Sequence, residues 1–433
     1  MGFTIRIEII CSGSELLTDK VNSDSVLIGE RLFAMGLNVS RVTTVGDNLS
    51  EMVSVFSEAL ERADVIISTG GLGPTFDDLT RQAVSKVTGR KLIEDASLLE
   101  TIRTTFAKRN VPMPPNNRLQ AMMLEGAEIL ANSNGTAPGQ ALSLPCNKRS
   151  KNKKMIVLLP GPPREMLPMF EHFALSRLKS MSDGMNKRFI LRIAGMGESA
   201  VEEKLRPVLE AERKLDSGVV SFGIVAHDMI IDIKAAVSGD DEMLIDETLT
   251  NIKKEFRDIL GDAVYGEDKQ TLEGVVGELL SRKKQTLALA ESCTGGIVAS
   301  RITNQPGSSA YFLEGVVTYS NAAKERLLKV NPETINEYGS VSQQAAIEMA
   351  DGERAESGAD YALSITGIAG PGGGTAEKPV GLVYIALAAP TIKEVYKHQF
   401  LGTRNDIRQR AANTALDILR RQLLSAQGSV KHV

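Results

Sequence analysis

The run Ala290-Glu291-Ser292-Cys293-Thr294-Gly295-Gly296 constrains this chain more than any other stretch. It begins where the apolar run Thr286 to Ala290 ends, and a helical pattern follows it, so the segment reads as strand, loop, helix. Backbone N–H groups and hydroxyls then collect at a strand end, where α/β proteins bind ligands. A second loop of the same kind, Ser364-Ile365-Thr366-Gly367-Ile368-Ala369-Gly370-Pro371-Gly372, follows the apolar run Tyr361 to Leu363. Two such loops in one half of a chain point to a site for a phosphate-bearing small molecule.

At 433 residues the chain exceeds one comfortable core, so two or three domains are expected. No run approaches the roughly 18 apolar residues of a membrane span. The N-terminus passes into a strand-like stretch, Ile5 to Ile10, without a signal-peptide pattern. Cys11, Cys146 and Cys293 are far apart and odd in number, which argues against a disulfide framework and fits a reducing cytoplasm. A net charge of −4 is unlike that of a protein built to grip a phosphate backbone. The basic run Lys148-Arg149-Ser150-Lys151-Asn152-Lys153-Lys154 reads as a solvated hairpin tip.

Three segments follow from the patterning. Residues 1–180 alternate strands and helices: strand Arg6 to Ile10, helix Ser23 to Met35, strand Val39 to Val45, helix Glu51 to Arg62, strand Val65 to Ser68, helix Asp77 to Val87 and a late strand Met155 to Leu159. Such alternation implies a parallel sheet with covering helices. Residues 181–262 read as strand, helix, two strands and helix, a small α+β module. Residues 263–433 are again α/β, with helices Leu272 to Lys283 and Asn405 to Leu423. Their strands include Thr286 to Ala290, Gly315 to Thr318, Tyr361 to Ile365 and Gly381 to Ala388.

The last segment holds only His398 and His432, neither in a Gly-rich loop, which argues against a His-dependent triad or a His/Cys metal site. A serine nucleophile without histidine relies on lysine, often with a tyrosine helping proton transfer. Lys324 lies five residues after Tyr319, so both can face one pocket. Burial can lower the amine's pKa far enough for it to act as a base. The plain alternatives are a solvated Lys324, a core Cys293, and Ser308 and Ser309 as caps.

These residues resemble the C-terminal domain of the CinA family. Besides the opening run, Pro306-Gly307-Ser308-Ser309, Val317-Thr318-Tyr319-Ser320-Asn321, Gly339-Ser340-Val341-Ser342, Thr366-Gly367-Ile368-Ala369-Gly370-Pro371 and Lys378-Pro379-Val380-Gly381 match it. The resemblance implies hydrolysis of the nicotinamide mononucleotide carboxamide to carboxylate and ammonia, with no cofactor. Under it Ser309 is expected as nucleophile, Lys324 as general base and acid, and Tyr319 as proton relay. Ser292, Thr294, Gly295, Thr366 and Gly367 would hold the amide oxygen or the phosphate. Arg404 would pair with the 5′-phosphate, with Arg408 as its rival.

The string Ser68-Thr69-Gly70-Gly71-Leu72-Gly73-Pro74-Thr75-Phe76-Asp77-Asp78-Leu79-Thr80 sets glycines and two carboxylates between a strand and a helix. The carboxylates either complement a helix dipole or hold a hard cation. With Gly13-Ser14-Glu15-Leu16-Leu17, Thr44-Val45-Gly46-Asp47-Asn48, Asn116-Asn117-Arg118-Leu119-Gln120, Gly135-Thr136-Ala137-Pro138-Gly139 and Leu159-Pro160-Gly161-Pro162-Pro163, it resembles the molybdopterin-binding-like domain of the same family. That resemblance implies an ADP-ribose pyrophosphatase using Mg²⁺ or a similar cation. Asp77, Asp78 and Glu15 would serve the metal, and Thr69, Gly70, Gly71 and Asn116 the ligand. The chain departs from the family pattern at Thr18-Asp19, which bears on the loop near Glu15. The middle segment resembles a KH-type module. Its Gly195-Met196-Gly197-Glu198 carries an acid where a GXXG loop meets nucleic acid, which favours a spacer or dimerisation role. The whole is therefore expected to be a cytoplasmic, homodimeric α/β hydrolase of two nucleotides. A competence-associated binding protein and a molybdopterin-binding protein are the competing classes.

Overall fold

The computed structural model describes residues 5–145, 154–179, 184–211 and 218–425. The chain forms two compact units, one of residues 1–187 with 215–219 and 237–247, the other of 188–214, 220–236 and 248–433.

The first unit is built on β1 (Ile7–Ser12), β2 (Val39–Val45), β3 (Val65–Thr69), β6 (Glu128–Leu130), β7 (Gly139–Leu144) and β8 (Lys154–Leu159), in the order β2-β1-β3-β8-β7-β6. β4 (Leu92–Glu94) and β5 (Met122–Leu124) form a separate antiparallel pair. The first four strands of the large sheet are parallel and the last two antiparallel. β1 and β3 are buried along their whole length, as strands covered on both faces must be. The covering helices include α1 (Glu15–Thr18), α2 (Asp24–Ala34), α3 (Leu49–Arg62), α4 (Thr80–Thr88), α5 (Ala96–Lys108) and α6 (Pro163–Arg177). One apolar cluster sits on each sheet face, around Phe170 on one side and Phe56 on the other. Glu8 is buried within β1 and accepts from Arg62 at 2.6 and 3.0 Å, which satisfies a carboxylate the core would otherwise not tolerate.

Two expectations change here. The helix expected from Asp77 starts at Thr80, because the Asp78 side chain is drawn back into the preceding turn. Lys154 is not solvated. It is buried at the start of β8 and donates to the carbonyls of Leu60 and Ala63, the latter at 3.0 Å. The rest of the basic run, Lys148 to Lys153, lies outside the described residues.

In the second unit, β9 (Met185–Ala194), β10 (Val219–His227), β11 (Ile230–Gly239) and β12 (Val264–Glu267) form a four-stranded sheet ordered β10-β11-β9-β12, with α7 (Glu198–Leu209) and α8 (Glu242–Leu260). Parts of β9, β10, β11 and α8 fall in the first unit. The larger sheet contains β13 (Leu287–Glu291), β14 (Phe312–Val317), β15 (Tyr361–Gly367), β16 (Leu382–Ala389) and β17 (Ile392–Gln399), ordered β14-β13-β15-β16-β17. β14, β13 and β15 are parallel and the last two antiparallel. Its helices are α9 (Leu272–Lys283), α10 (Ile297–Thr303), α11 (Asn321–Leu328), α12 (Pro332–Tyr338), α13 (Gln343–Ser357) and α14 (Arg404–Ser425). No described helix is long and apolar enough to cross a membrane.

α13 lies tight against the end of α11: a Cβ added at Gly352 would stand 1.8 Å from the Leu328 carbonyl oxygen. The next residue, Glu353, is 1% exposed, and its Oε1 has no hydrogen-bond partner. Burial, with Glu314 and Glu356 adding repulsion, pushes this carboxyl up from 4.5 to about 7. Between those pH values the folded chain holds a proton that the unfolded chain has released. Stability therefore falls as pH rises through that window. Glu353→Gln is expected to remove this slope and to raise stability at pH 8 by about 1–2 kcal/mol, after allowance for solvent screening. Denaturant titrations at pH 5 and 8 check it: a gain as large at pH 5 would contradict the assignment.

Candidate active site

β13, β14 and β15 run parallel with Glu291 in register with Val317 and Ile365, so the segments after them emerge on one edge. Glu291 ends β13 fully buried, and its carboxylate accepts from the backbone of Gly296, Val298 and Ala299 at 3.0, 3.3 and 2.8 Å. A carboxylate placed on the first amides of α10 satisfies donors a helix leaves open and complements its dipole. This folds residues 292–296 into a closed turn, with the Ser292 amide on the Ile365 carbonyl at 2.9 Å and the Gly295 amide on the Ser292 carbonyl at 3.1 Å. Gly295 and Gly296 both take positive φ, 61° and 90°, which a side chain would resist.

Ser292 faces Lys324. The amine donates to Ser292 Oγ at 3.0 Å and to the Thr318 carbonyl at 2.6 Å. Ser320 caps α11 and so fixes where that lysine emerges. Lys324 is 2% exposed and belongs to no ion pair among the described residues. Burial lowers its pKa from 10.5 to about 8. The hydroxyls of Thr294 and Thr318 are buried beside this pair without a partner. Cys293 is excluded as a thiolate, because burial pushes its thiol up to about 12.

Arg404, the first residue of α14, donates to the Gly370 carbonyl at 2.7 Å and to the Tyr319 hydroxyl at 2.8 Å. It joins the loop after β15 to the one after β14, and both it and Tyr319 are exposed. Arg408 instead spends its donors on the carbonyls of Cys293 and Thr294, at 3.2 and 2.7 Å, and holds the turn. Thr366 is buried, with its hydroxyl on the Ser340 carbonyl at 2.7 Å, so that hydroxyl serves the loop. At Gly367 a Cβ would meet the Leu382 carbonyl at 2.7 Å, which makes that glycine a packing requirement.

Ser309 is not part of this cluster. It lies in a short 3₁₀ turn, Ser308–Ala310, before β14, whereas Tyr319 and Lys324 come after it. Leu287, at the start of β13, donates to the Tyr311 carbonyl at 2.7 Å, which fixes the turn at the opposite end of the sheet. A six-residue strand spans roughly 20 Å. The hydroxyl that meets Lys324 is Ser292. Sequence reasoning passed over Glu291, whose only signal was an acid directly before the Ser-Cys-Thr-Gly-Gly run.

The first unit has its own cavity of about 650 Å³ at the ends of β1 and β3. Thr69, Gly70, Gly71, Glu15, Asp77 and Asp78 line it, with Asp24 and Gln120. At Gly70 a Cβ would stand 2.2 Å from the Ser12 carbonyl, and at Gly71 2.1 Å from Thr80 Oγ1, so packing requires both glycines in this stretch of the cavity wall. Asp78 accepts from the amides of Gly73 and Thr75 at 2.7 and 2.8 Å, and organises the loop. Asp77 keeps a buried oxygen without a partner. Asn116 is exposed and does not line the cavity. Its neighbour Asn117 is buried and donates to Gln120, which does, at 2.8 Å. No three described His, Cys, Asp or Glu side chains enclose a metal position by themselves. The donor set suits a cation that takes one or two carboxylates here and completes its shell with water and ligand phosphate, as Mg²⁺ does.

Family models match three consecutive stretches: a probable molybdopterin binding domain over residues 8–180, a damage-inducible protein CinA KH domain over 188–266, and a CinA C-terminal domain over 269–423. A CinA-like protein of Endomicrobium trichonymphae is 48% identical over 424 residues, which is 97% of this chain and 99% of that one. A putative competence-damage inducible protein of Caldicellulosiruptor saccharolyticus is 40% identical over 419 residues, 96% of this chain and 99% of the relative. A crystal structure of a competence/damage inducible protein from Agrobacterium tumefaciens is 42% identical, covers 35% of this chain and 93% of its own, and has a TM-score of 0.34.

Proposed function

Since the chain belongs to the CinA family, we propose that its C-terminal domain hydrolyses the carboxamide of nicotinamide mononucleotide to nicotinate mononucleotide and ammonia. The observation that carries this reading is the buried Lys324 amine, 3.0 Å from Ser292 Oγ. A neutral amine takes the Ser292 proton as the oxygen attacks the amide carbon. The same amine, now protonated, gives its proton to the leaving nitrogen. Ammonia departs, and water with Lys324 as base releases the acid from Ser292. Tyr319 and Arg404 stand on the same sheet edge, so the nucleotide's phosphate is assigned to Arg404. The deciding test is ammonia release from nicotinamide mononucleotide by the purified chain without added metal. A folded chain that releases none ends this reading.

Arg404→Ala is expected to raise KM for the nucleotide about 10- to 100-fold, the worth of a charge-assisted phosphate contact, with a smaller change in kcat. Nicotinamide riboside, which lacks the phosphate, would lose nothing. Steady-state kinetics on both substrates check this. An equal loss on the riboside would assign Arg404 to Tyr319 rather than to phosphate.

A second activity rests on the first unit's cavity. Gly70 and Gly71 offer a bare backbone to a diphosphate, and Asp77 with Glu15 offers carboxylates to a cation such as Mg²⁺. The cation, when bound, would neutralise diphosphate charge. The matching reaction is cleavage of ADP-ribose to AMP and ribose 5-phosphate. Release of AMP that stops on chelation supports it, and metal-independent release contradicts it. Both substrates are phosphorylated ribosides formed when NAD is consumed, which gives the fusion a common purpose.

A further inference from the structure

The two most exposed large apolar side chains among the described residues, Phe76 at 93% and Val21 at 91%, both belong to loops of the first unit's cavity. Val21 lines it directly, and Phe76 stands between Thr75 and Asp77, which both do. Leu17, also exposed, lies beside the lining residue Leu16.

Phe76 is not exposed because its loop is loose. On one side Arg81, itself buried, donates to the carbonyls of Leu72 and Gly73 at 2.8 Å each. On the other, Asp78 accepts from the Gly73 and Thr75 amides and from the Thr75 hydroxyl. A Cβ at Gly73 would fall 2.4 Å from an Asp78 oxygen, so a side chain there would disturb the Asp78 contacts that hold the loop. The segment is pinned on both flanks while the exposed Phe76 ring pairs with no other ring among the described residues. A pinned loop that carries a bare aromatic ring between two lining residues of a cavity resembles the platforms on which nucleobases stack.

The charge of the cavity adds an independent reason. Its lining holds Lys20 as the single lysine or arginine, against the carboxylates of Glu15, Asp24, Asp47, Asp77, Asp78 and Glu165. Such a wall gives a phosphorylated ligand little attraction from side chains. Affinity must come from a neutral part of the ligand, together with backbone amides and any bound cation.

We infer that Phe76, with Val21 on another loop of the same cavity, grips a planar nitrogen heterocycle at the cavity mouth, and that the cavity selects adenine nucleotides over bare sugar phosphates. This deepens the reading of the first unit as a site for ADP-ribose. Phe76 is thus a specificity residue whose ring contacts the part of the ligand that does not react. A pterin carried on a phosphorylated stem shares the chemistry, and the experiment separates the two.

The experiment is calorimetric binding of AMP, ribose 5-phosphate and 6-hydroxymethylpterin to the full chain with Mg²⁺ present throughout. Wild type, Phe76→Ala and Phe76→Tyr are compared. Phe76→Ala is expected to weaken AMP about 10- to 100-fold, the range for one base on one aromatic ring, and to leave ribose 5-phosphate within about twofold. Phe76→Tyr is expected to restore AMP binding. Unchanged AMP binding in Phe76→Ala overturns the inference, and so does an equal loss of both phosphates. A wild type that binds AMP no better than ribose 5-phosphate also overturns it. A pterin that binds more tightly than AMP in a Phe76-dependent way overturns the adenine assignment. If ADP-ribose is not cleaved yet AMP binding depends on Phe76, the grip stands and the proposed reaction fails.

Discussion

Replacing Lys324 by methionine is expected to lower kcat/KM for nicotinamide mononucleotide about 1,000- to 10,000-fold while leaving the chain folded. General acid–base catalysis alone is worth about 100- to 10,000-fold, and here one amine both removes and returns the proton. Methionine fills the buried space of the lysine stem without a charge. The wild-type pH profile carries the same assignment. With the amine's pKa near 8, the neutral fraction grows about tenfold per pH unit below that value. The rate should climb with that slope and level off above it. Stability moves in a defined direction too. The lysine's folded pKa lies below its unfolded value of 10.5, so between the two the unfolded chain holds more protons. Wild-type stability therefore rises with pH from about 8 to 10.5, and the full cost of the buried charge applies below 8. Lys324→Met should match or exceed wild-type stability at pH 7 and lose that advantage at high pH. A folded variant that keeps the wild-type kcat/KM, or a wild-type rate that is flat from pH 6 to 9, would remove Lys324 from the chemistry.

Ser292→Ala is expected to cost a thousandfold or more in kcat, since nucleophile deletions in serine hydrolases leave only binding and electrostatic stabilisation. Ser309→Ala should retain activity within a few-fold, because its hydroxyl lies at the far end of β14 from the amine. The two variants should also separate in single-turnover experiments. A burst of ammonia marks the acyl-enzyme, and it should persist in Ser309→Ala and vanish in Ser292→Ala. The reverse pattern would restore Ser309 and require another explanation for the contact between Ser292 and Lys324.

The placement of Ser309, away from Lys324, shows what sequence spacing conveys and what it omits. Strand, loop and helix after Thr286 were legible because a fully buried strand reads as an unbroken apolar run. Lys324 was legible as the partner of a serine because serine chemistry without histidine calls for a lysine, and its amine does meet Ser292 Oγ. Ser309 and Lys324 are near neighbours in sequence, but β14 between them carries the chain across the sheet. Ser292 is more remote in sequence, yet the parallel pairing of β13 and β14 returns it to the same edge. Pairing is a long-range property, which local patterns do not record. β17 was missed for a related reason: Lys393, Glu394 and Lys397 break its apolar pattern, as suits an edge strand. Asp78 misled because a carboxylate before a helix is a usual dipole partner, whereas here it closes a turn.

Gly352 gives the proposed site a mechanical dependence that no map of its reacting groups would include. It lies on neither of the segments that carry Ser292 and Lys324, yet its missing side chain sets how near α13 comes to the end of α11, the helix that carries Lys324. Any larger residue there must push that helix, and a hydrogen bond of 3.0 Å between amine and hydroxyl tolerates little displacement. Position 352 therefore behaves as a spacer gauge: the alignment of Lys324 with Ser292 is machined by an absence, and directed evolution of this domain has less freedom than the size of the proposed site suggests.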